Sequence, residues 1–195
     1  MKQLLTSLII LIVAATLQSC GYNTMVQKEE AIKAQWSQVE AAYQRRNDLL
    51  PMLVKNAKAG LTLEKQAVED VIDKRAKATS IQIDAGNLSP EKVSQFFKAQ
   101  DALSSAVSRL LVTMEKYPEF KTSENFVALA NQIEGTENRI RFERKKFIDA
   151  VQDYNTYIRK FPANIMASIF GFEKYEYYQA QEGSEKVPEL DYGVE

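Results

Sequence analysis

Hydrophobic residues recur every three or four positions over most of the chain, the spacing of one face of an α-helix. The first such stripe contains Ile32, Trp36, Val39, Tyr43, Leu50, Leu53, Ala57, Leu61, Val68, Val71 and Ala78. Pro51 interrupts the stripe without changing its phase, and burial of the leucines around it offsets a cost of about 3 kcal/mol. The pattern therefore predicts one long, kinked first helix from about Thr24 to Ala78, rather than two helices with a turn at Ala59-Gly60.

A second helix is predicted after a polar loop at residues 81–88. Ser89 and Pro90 are typical of an N-cap and of the first helical position. The helix ends near Tyr117-Pro118, where the periodicity stops. Its stripe contains Val93, Phe96, Phe97, Gln100, Leu103, Val107, Leu110, Leu111 and Met114.

A third helix is predicted to begin at Ser123-Glu124 and to stop at Pro162. Its stripe contains Phe126, Leu129, Ile133, Ile140, Phe147, Val151, Tyr154, Ile158 and Phe161. Residues 163–178 predict a short fourth helix that carries Ile165, Met166, Ile169 and Phe170. No strand pattern is present, so the fold class is all-α, and the stripes are best buried in an antiparallel four-helix bundle. The bundle is assigned to residues 26–178 and is followed by an acidic, flexible tail at 179–195.

The N-terminus has the pattern of a bacterial lipoprotein signal peptide. Lys2 is followed by the apolar run 4–17, and Ser19-Cys20 closes it. That run is shorter than the roughly 20 apolar residues that span a bilayer. We expect cleavage after residue 19 and lipidation of Cys20, which leaves residues 20–25 as a lipid-anchored N-terminus. Gly21, rather than Asp, after the cysteine favours the outer membrane, facing the periplasm, in a cell with two membranes.

Composition excludes several classes of function. The chain has no histidine and one cysteine, so it lacks the commonest general base, the usual metal ligand and any disulfide. Basic and acidic residues number 25 and 26 and are interspersed, which excludes the concentrated positive face of a nucleic-acid binder. We expect no metal and no cofactor.

Several motifs together resemble the LemA family. They are Tyr22-Asn23, Trp36, the segment 45–54, Glu64, Arg75, Tyr154-Asn155 and the segment 161–164. The resemblance covers nearly the whole chain after the signal, and it implies a four-helix bundle, membrane association and no established catalytic activity. The chain departs from the family in its lipoprotein signal, which replaces an uncleaved transmembrane helix, and in Phe147-Ile148, where a tyrosine and an asparagine are expected.

Charged residues in or beside the stripes are the candidates for specific chemistry. They are Arg45, Arg46, Asp48, Glu64, Arg75, Glu137 and Arg141. Glu137 with Arg141 and Arg139 with Glu143 are each four residues apart, the spacing of ion pairs on one helix. The favoured interpretation is that they lie on a solvated face or close partly buried ion pairs between helices. The alternatives are that they line a ligand groove or supply a carboxylate pair such as Glu64 and Glu137. Nothing singles out that last pair, and no catalytic residue is nominated.

The aromatic-rich segment 161–178 has three interpretations: packing on the bundle, contact with the membrane interface, or docking of a partner. The sequence favours packing, because Glu173 and Glu176 repel anionic headgroups. The functional hypothesis is a non-enzymatic interaction or scaffold module at the bacterial envelope, held on the membrane by lipidated Cys20 and bound to an envelope protein. The alternative is a binding module for a small envelope ligand.

Overall fold

The computed structural model describes residues 2–59 and 65–176, with side chains from residue 21 onward, and all of its regular elements are helices. These are α1 (Lys2–Ala59), α2 (Lys65–Ser80), α3 (Pro90–Glu115), α4 (Pro118–Lys121), α5 (Glu124–Arg159) and α6 (Ala163–Phe170). The predicted all-α class is confirmed. The tail 179–195 and Glu64 lie outside the described residues, and so does the side chain of Cys20.

Helices α1 and α5 form the most extensive pairing, and their contacts run in opposite directions. Lys28 pairs with Asp153 and Arg46 pairs with Glu137, so higher numbers on α1 meet lower numbers on α5. The extent of this pairing follows from length, because both helices present their apolar stripes over many turns.

The prediction of a single helix from Thr24 to Ala78 was wrong. The Gln100 side chain accepts a hydrogen bond from Arg46 on α1 and donates one of 3.3 Å to the carbonyl of Ala78 on α2. On one continuous helix those two residues would stand about 48 Å apart. Helix α2 therefore runs back along α1 and does not continue it. The passage of α1 through Pro51 was predicted correctly.

Serine caps begin two of the long helices where the sequence predicts them. The Ser89 Oγ accepts the Lys92 N–H at 3.4 Å, and the Ser123 Oγ accepts the Phe126 N–H at the same distance. Each cap satisfies one of the backbone donors that a helix N-terminus leaves unpaired. These starts depend on local chemistry alone, which is why the sequence locates them.

The core consists of two hydrophobic clusters along the length of the bundle. The aromatic cluster includes Met25, Ile32, Trp36, Val39, Tyr43, Ile83, Phe96, Phe97, Ile140, Phe147, Val151, Tyr154 and Ile158. The aliphatic cluster includes Leu50, Leu53, Ala57, Val68, Val71, Ala78, Leu103, Val107, Leu110, Met114, Phe126, Leu129 and Ile133. Helix α2 covers the aliphatic cluster, whereas the non-helical segment 81–89 covers part of the aromatic one.

The C-terminal part of the described chain differs from the prediction. Helix α6 ends at Phe170 because Gly171 adopts a left-handed conformation with φ 74°, which closes the helix. Residues 172–176 continue without helix. The predicted apolar face of this helix is largely exposed, and its buried residues are Ala163 and Ala167. Phe161, predicted to lie in the core, is 80% exposed.

Candidate functional site

A layer of polar side chains separates the two hydrophobic clusters. Arg46 lies at its centre and is completely buried. Its Nη1 donates to the Glu137 Oε1 at 3.0 Å and to the Ser104 Oγ, while its Nη2 donates to the Gln100 Oε1. We call these four residues the Arg46 layer.

The Arg46 layer joins four helices. The Ser104 hydroxyl lies 3.2 and 3.1 Å from the two carboxylate oxygens of Glu137, to which it can donate. The Gln100 amide donates to the Ala78 carbonyl, so α2 is tied to the residues of α1, α3 and α5. A buried cation with several charge-assisted hydrogen bonds tolerates no shift in register, because a slipped helix would leave it unpaired.

Tyr43 completes the surroundings of the buried cation. The guanidinium carbon of Arg46 lies 5.1 Å from the centroid of the Tyr43 ring, within cation–π range. The Arg46 Nε and the Tyr43 hydroxyl are buried and make no hydrogen bond. Burial raises the pKa of the Tyr43 phenol, so this hydroxyl stays protonated at neutral pH.

The structure disperses most of the other predicted site residues. Arg45 and Asp48 are exposed on the outer side of α1, and Asp48 accepts a hydrogen bond of 2.8 Å from the Gln44 amide. Arg141 is also exposed and donates to Asn138, so the expected pair between Glu137 and Arg141 does not form.

Two further predictions have different outcomes. The Arg139 Nη2 lies 2.7 Å from the Glu143 Oε1, so the predicted pair forms. Arg75 lies apart from the Arg46 layer, at a groove on α1 and α2 that also contains Lys55 and Lys58. Of the seven candidate residues, Arg46 and Glu137 are the two that pair with each other among the described residues, while Arg45 and Asp48 lie together along a surface groove.

Sequence reasoning missed two members of the Arg46 layer. Gln100 stood in the apolar stripe of its helix, and a polar residue on a buried face was an available signal that it needs a partner. Ser104 gave no such signal, because a serine beside the apolar stripe is common on half-exposed helix faces. Its role depends on the approach of α5.

An open groove lies between α1 and α5 on the surface of the bundle, and we call it the α1–α5 groove. Its volume is about 850 Å³. It is lined by Gln38, Ala41, Ala42, Gln44, Arg45, Asp48, Gln132, Gly135, Thr136 and Arg139. A Cβ added at Gly135 would meet nothing within 4 Å, so the groove is open there.

An aromatic side chain stands beside this groove. Phe142 is 50% exposed on α5. The Arg139 guanidinium carbon lies 5.7 Å from its ring centroid, and the Lys146 Nζ lies 4.5 Å from it. An exposed aromatic ring flanked by two cations is a composition enriched in protein interfaces.

Tyr154 and Asn155 hold the non-helical segment that follows α6. The Tyr154 hydroxyl donates to the Glu173 carbonyl at 3.0 Å. The Asn155 amide donates to the Tyr175 carbonyl at 2.7 Å and accepts the Tyr175 N–H at 2.9 Å. Burial raises the pKa of Tyr154 to about 12. This pair, part of the motif set in the sequence, thus fixes a backbone segment.

The described residues contain neither a membrane-spanning helix nor a cluster of metal ligands. Among them, no helix is both long and apolar enough to cross a bilayer. In the same residues no group of three or more histidine, cysteine, aspartate or glutamate side chains is arranged to hold a metal ion.

The fold and the Arg46 layer define an all-helical domain whose central charge is used for internal pairing. The LemA family model matches residues 35–192, which is most of the chain. The protein therefore belongs to the LemA family, and the resemblance stated from its motifs is confirmed at that level.

Similar proteins include three from magnetic bacteria. Magnetosome proteins MamQ 1 and MamQ 2 of Paramagnetospirillum magneticum AMB-1 are each 28% identical over 179 residues. Magnetosome protein MamQ of Magnetospirillum gryphiswaldense MSR-1 is 26% identical over 178 residues. The matches cover 81%, 81% and 80% of this chain, and the chain spans 64% of the length of each relative.

Proposed function

We propose that this protein is a non-enzymatic interaction module of the bacterial envelope, anchored by lipidated Cys20 and binding a protein partner through the α1–α5 groove. The observation that carries the proposal is the open groove beside Phe142. In a cell with two membranes, we place the module on the outer membrane, facing the periplasm, because Gly21 follows the cysteine.

The proposed scaffold is an antiparallel four-helix bundle made of α1, α2, α3 and α5. The opposite direction of the α1 and α5 contacts supports this arrangement. The Asp70–Arg109 ion pair and the Ala78–Gln100 hydrogen bond support the same relation between α2 and α3. Such a bundle presents long, rigid faces, which suit a partner-binding module.

The burial of Arg46 supports a non-enzymatic role. A catalytic charge has to meet a substrate, whereas the Arg46 guanidinium is sealed and bonded to Glu137, Gln100 and Ser104. Because the hydrogen bonds of such a network are satisfied in one arrangement of the helices, the network stabilises that packing. The relatives that are magnetosome proteins further support a role within an assembly.

The chemistry of the groove indicates the kind of partner. Its wall contains the small residues Ala41, Ala42 and Gly135, which let another chain approach the helix backbones closely. Arg45 lies at its edge beside Asp48, and Arg139 is paired with Glu143, so a partner segment with apolar side chains and an acidic group placed against Arg45 fits best.

The test uses the full-length lipoprotein in its native membrane, with a photo-crosslinking residue in place of Gln38. We expect one reproducible adduct that disappears in the Gly135→Trp variant, which fills the groove. Gly135→Ala is the matched control and should retain the adduct, and Cys20→Ala tests dependence on the anchor. An adduct of equal yield in the Gly135→Trp and Gly135→Ala proteins would refute docking in this groove.

A small envelope ligand in the same groove is the second candidate, favoured by the two arginines at its edge. Ligand at one hundred times its dissociation constant would stabilise the domain by about 2.7 kcal/mol. A screen of acidic envelope metabolites should then raise the melting temperature of the parent but not of Gly135→Trp. The absence of any such shift, together with a groove-dependent adduct, would leave the protein partner as the function.

A further inference from the structure

Helix α6 packs on the bundle through its small residues, whereas the sequence predicts packing through its large apolar ones. Its small residues Ala163 and Ala167 face the bundle and are buried. Three of its large apolar residues point outward, with Ile165 50%, Ile169 68% and Phe170 52% exposed, whereas Met166 packs in part against the aromatic cluster. Together with Phe161, they form an exposed apolar surface that we call the α6 face. An exposed apolar group of this kind marks an interaction surface.

The α6 face lies at the end of the domain where α1 continues to Cys20. The Tyr22 ring is 5.0 Å from the Phe170 ring and 5.6 Å from the Phe172 ring, both measured between centroids. Tyr22 and Cys20 belong to the same helix. At the rise of an α-helix they are separated by only about 3 Å along the axis. No loop separates the α6 face from the modified residue.

Charge near the α6 face is compatible with an anionic surface. Arg159 and Lys160 are exposed directly before Phe161, whereas Glu173 and Glu176 lie on the segment after α6. Basic residues beside outward-facing apolar ones are the composition of segments that lie in a membrane interface. The sequence favoured packing on the bundle because Glu173 and Glu176 repel anionic headgroups, but both lie after α6, and the structure leaves most of the large apolar residues of α6 exposed.

We propose that the α6 face is inserted at the headgroup and acyl-chain boundary of the membrane that holds the lipids of Cys20. This inference rests on the proposed lipid anchor and adds the orientation of the domain to it. Because Tyr22 contacts Phe170 and lies two residues from Cys20, the lipid anchor holds the α6 face close to the bilayer. The face then becomes a second point of contact with the membrane. Two contacts fix the orientation of α1, whose residues 21–59 extend about 57 Å from the anchored end.

The experiment measures the depth of single positions in the membrane. Full-length lipidated protein is reconstituted in vesicles of phosphatidylethanolamine and phosphatidylglycerol with or without brominated acyl chains, which quench fluorophores at the acyl boundary. An environment-sensitive fluorophore is attached at Ile169→Cys or, as the matched control, at Val112→Cys, which is exposed on α3 at the other end of the bundle. Mass spectrometry establishes whether Cys20 is lipidated.

We expect several-fold stronger quenching at position 169 than at 112. Equal, weak quenching in protein with lipidated Cys20 would overturn the inference and leave the anchor intact. If mass spectrometry finds no lipid at Cys20, the anchor is refuted; strong quenching at 169 in a Cys20→Ala protein, where only position 169 takes the fluorophore, would then retain the α6 face. Energy transfer between labels on different molecules, without bromolipid quenching, would assign the face to a second copy and overturn the inference.

A second pair of variants separates insertion from simple proximity. The fluorophore is moved to Ile165→Cys, and Ile169→Ser with Phe161→Ser removes apolar side chains that are 68% and 80% exposed and therefore contribute little to folding. Insertion predicts a clear loss of quenching at 165 in the serine protein, with an unchanged melting temperature. Unchanged quenching would show that nearness to the anchor alone explains the signal and would contradict insertion.

Discussion

The aromatic and aliphatic clusters both contain residues of α1, α3 and α5, but different parts of the chain cover them. Helix α2 supplies a full helical face with Val68 and Val71 to the aliphatic cluster. Over the aromatic cluster the chain between α2 and α3 is non-helical, and only Ile83 of that segment is fully buried. An extended segment brings fewer side chains per unit length than a helix does, so larger core residues are needed to fill the space.

The rings of the aromatic cluster meet this need around Trp36. Its ring centroid lies 5.3 Å from that of Phe96, 5.8 Å from Phe97 and 5.3 Å from Phe147, and all three contacts are edge-on. Edge-on ring pairs contribute about 0.5 to 1.5 kcal/mol beyond the area they bury. Large aromatic side chains in this cluster thus compensate for the smaller number of side chains that segment 81–89 contributes.

The largest expected effect comes from breaking the aromatic cluster at its centre. Trp36→Ala should destabilise the protein by about 3 to 5 kcal/mol, because it removes a completely buried side chain together with its three edge-on ring contacts. Leu53→Ala tests the aliphatic cluster with the same kind of deletion. Urea unfolding followed by circular dichroism measures both, with Val112→Ala as a surface control expected within about 0.5 kcal/mol. A smaller loss for Trp36→Ala than for Leu53→Ala would refute the comparison.

The next effect comes from the Arg46 layer between the clusters. Arg46→Met should cost about 3 kcal/mol, because it leaves the oxygens of Glu137 and Gln100 without their cation. Arg45→Met is the matched control, since that neighbour is exposed and should change stability by less than about 0.5 kcal/mol. Adding Glu137→Gln to Arg46→Met should recover part of the loss in urea unfolding. Equal effects of the two arginine variants would show that the layer does not hold the helices together.

Alkaline pH should weaken the aromatic half through its buried tyrosines. Burial raises the pKa of Tyr154 from its ordinary value near 10 to about 12, so the folded state holds this proton more tightly. The stabilisation is complete below pH 10 and is lost as pH rises toward 12, by up to about 1.4 kcal/mol per pH unit. Tyr154→Phe should reduce this slope in urea unfolding at pH 9 to 12. An unchanged slope for Tyr154→Phe would contradict the assignment.

The smallest effect is a gain at Gly135, where α5 passes beside the Arg46 layer. Gly135→Ala should stabilise the protein by up to about 1 kcal/mol, because the new Cβ meets nothing and the unfolded chain loses freedom. Gly171→Ala is the contrasting variant and should destabilise by about 1 kcal/mol, since its φ of 74° disfavours a side chain. Melting temperatures measure both. A loss at Gly135 would show that the groove is narrower than described.

Local chemistry determined much of this protein from its sequence alone. Helical periodicity, the Ser89 and Ser123 caps and most of the buried stripe depend on neighbours within a few residues, so they could be predicted. Arg46 and Glu137 were identified as candidates by charge on or near a buried face. Their pairing could not be predicted, because the sequence favoured Arg141 as the partner of Glu137 at a spacing of four.

Only the tertiary structure decided how the stripes were used. The same apolar periodicity fits one continuous helix or two antiparallel helices. Only the contacts of Gln100 with Arg46 on α1 and Ala78 on α2 show that α2 runs back along α1. The same limit applies to α6, since periodicity marks an apolar face without saying whether protein covers it. The small residues Ala163 and Ala167 allow α6 to approach the bundle closely. Packing through this side of the helix leaves Ile169 and Phe170 exposed.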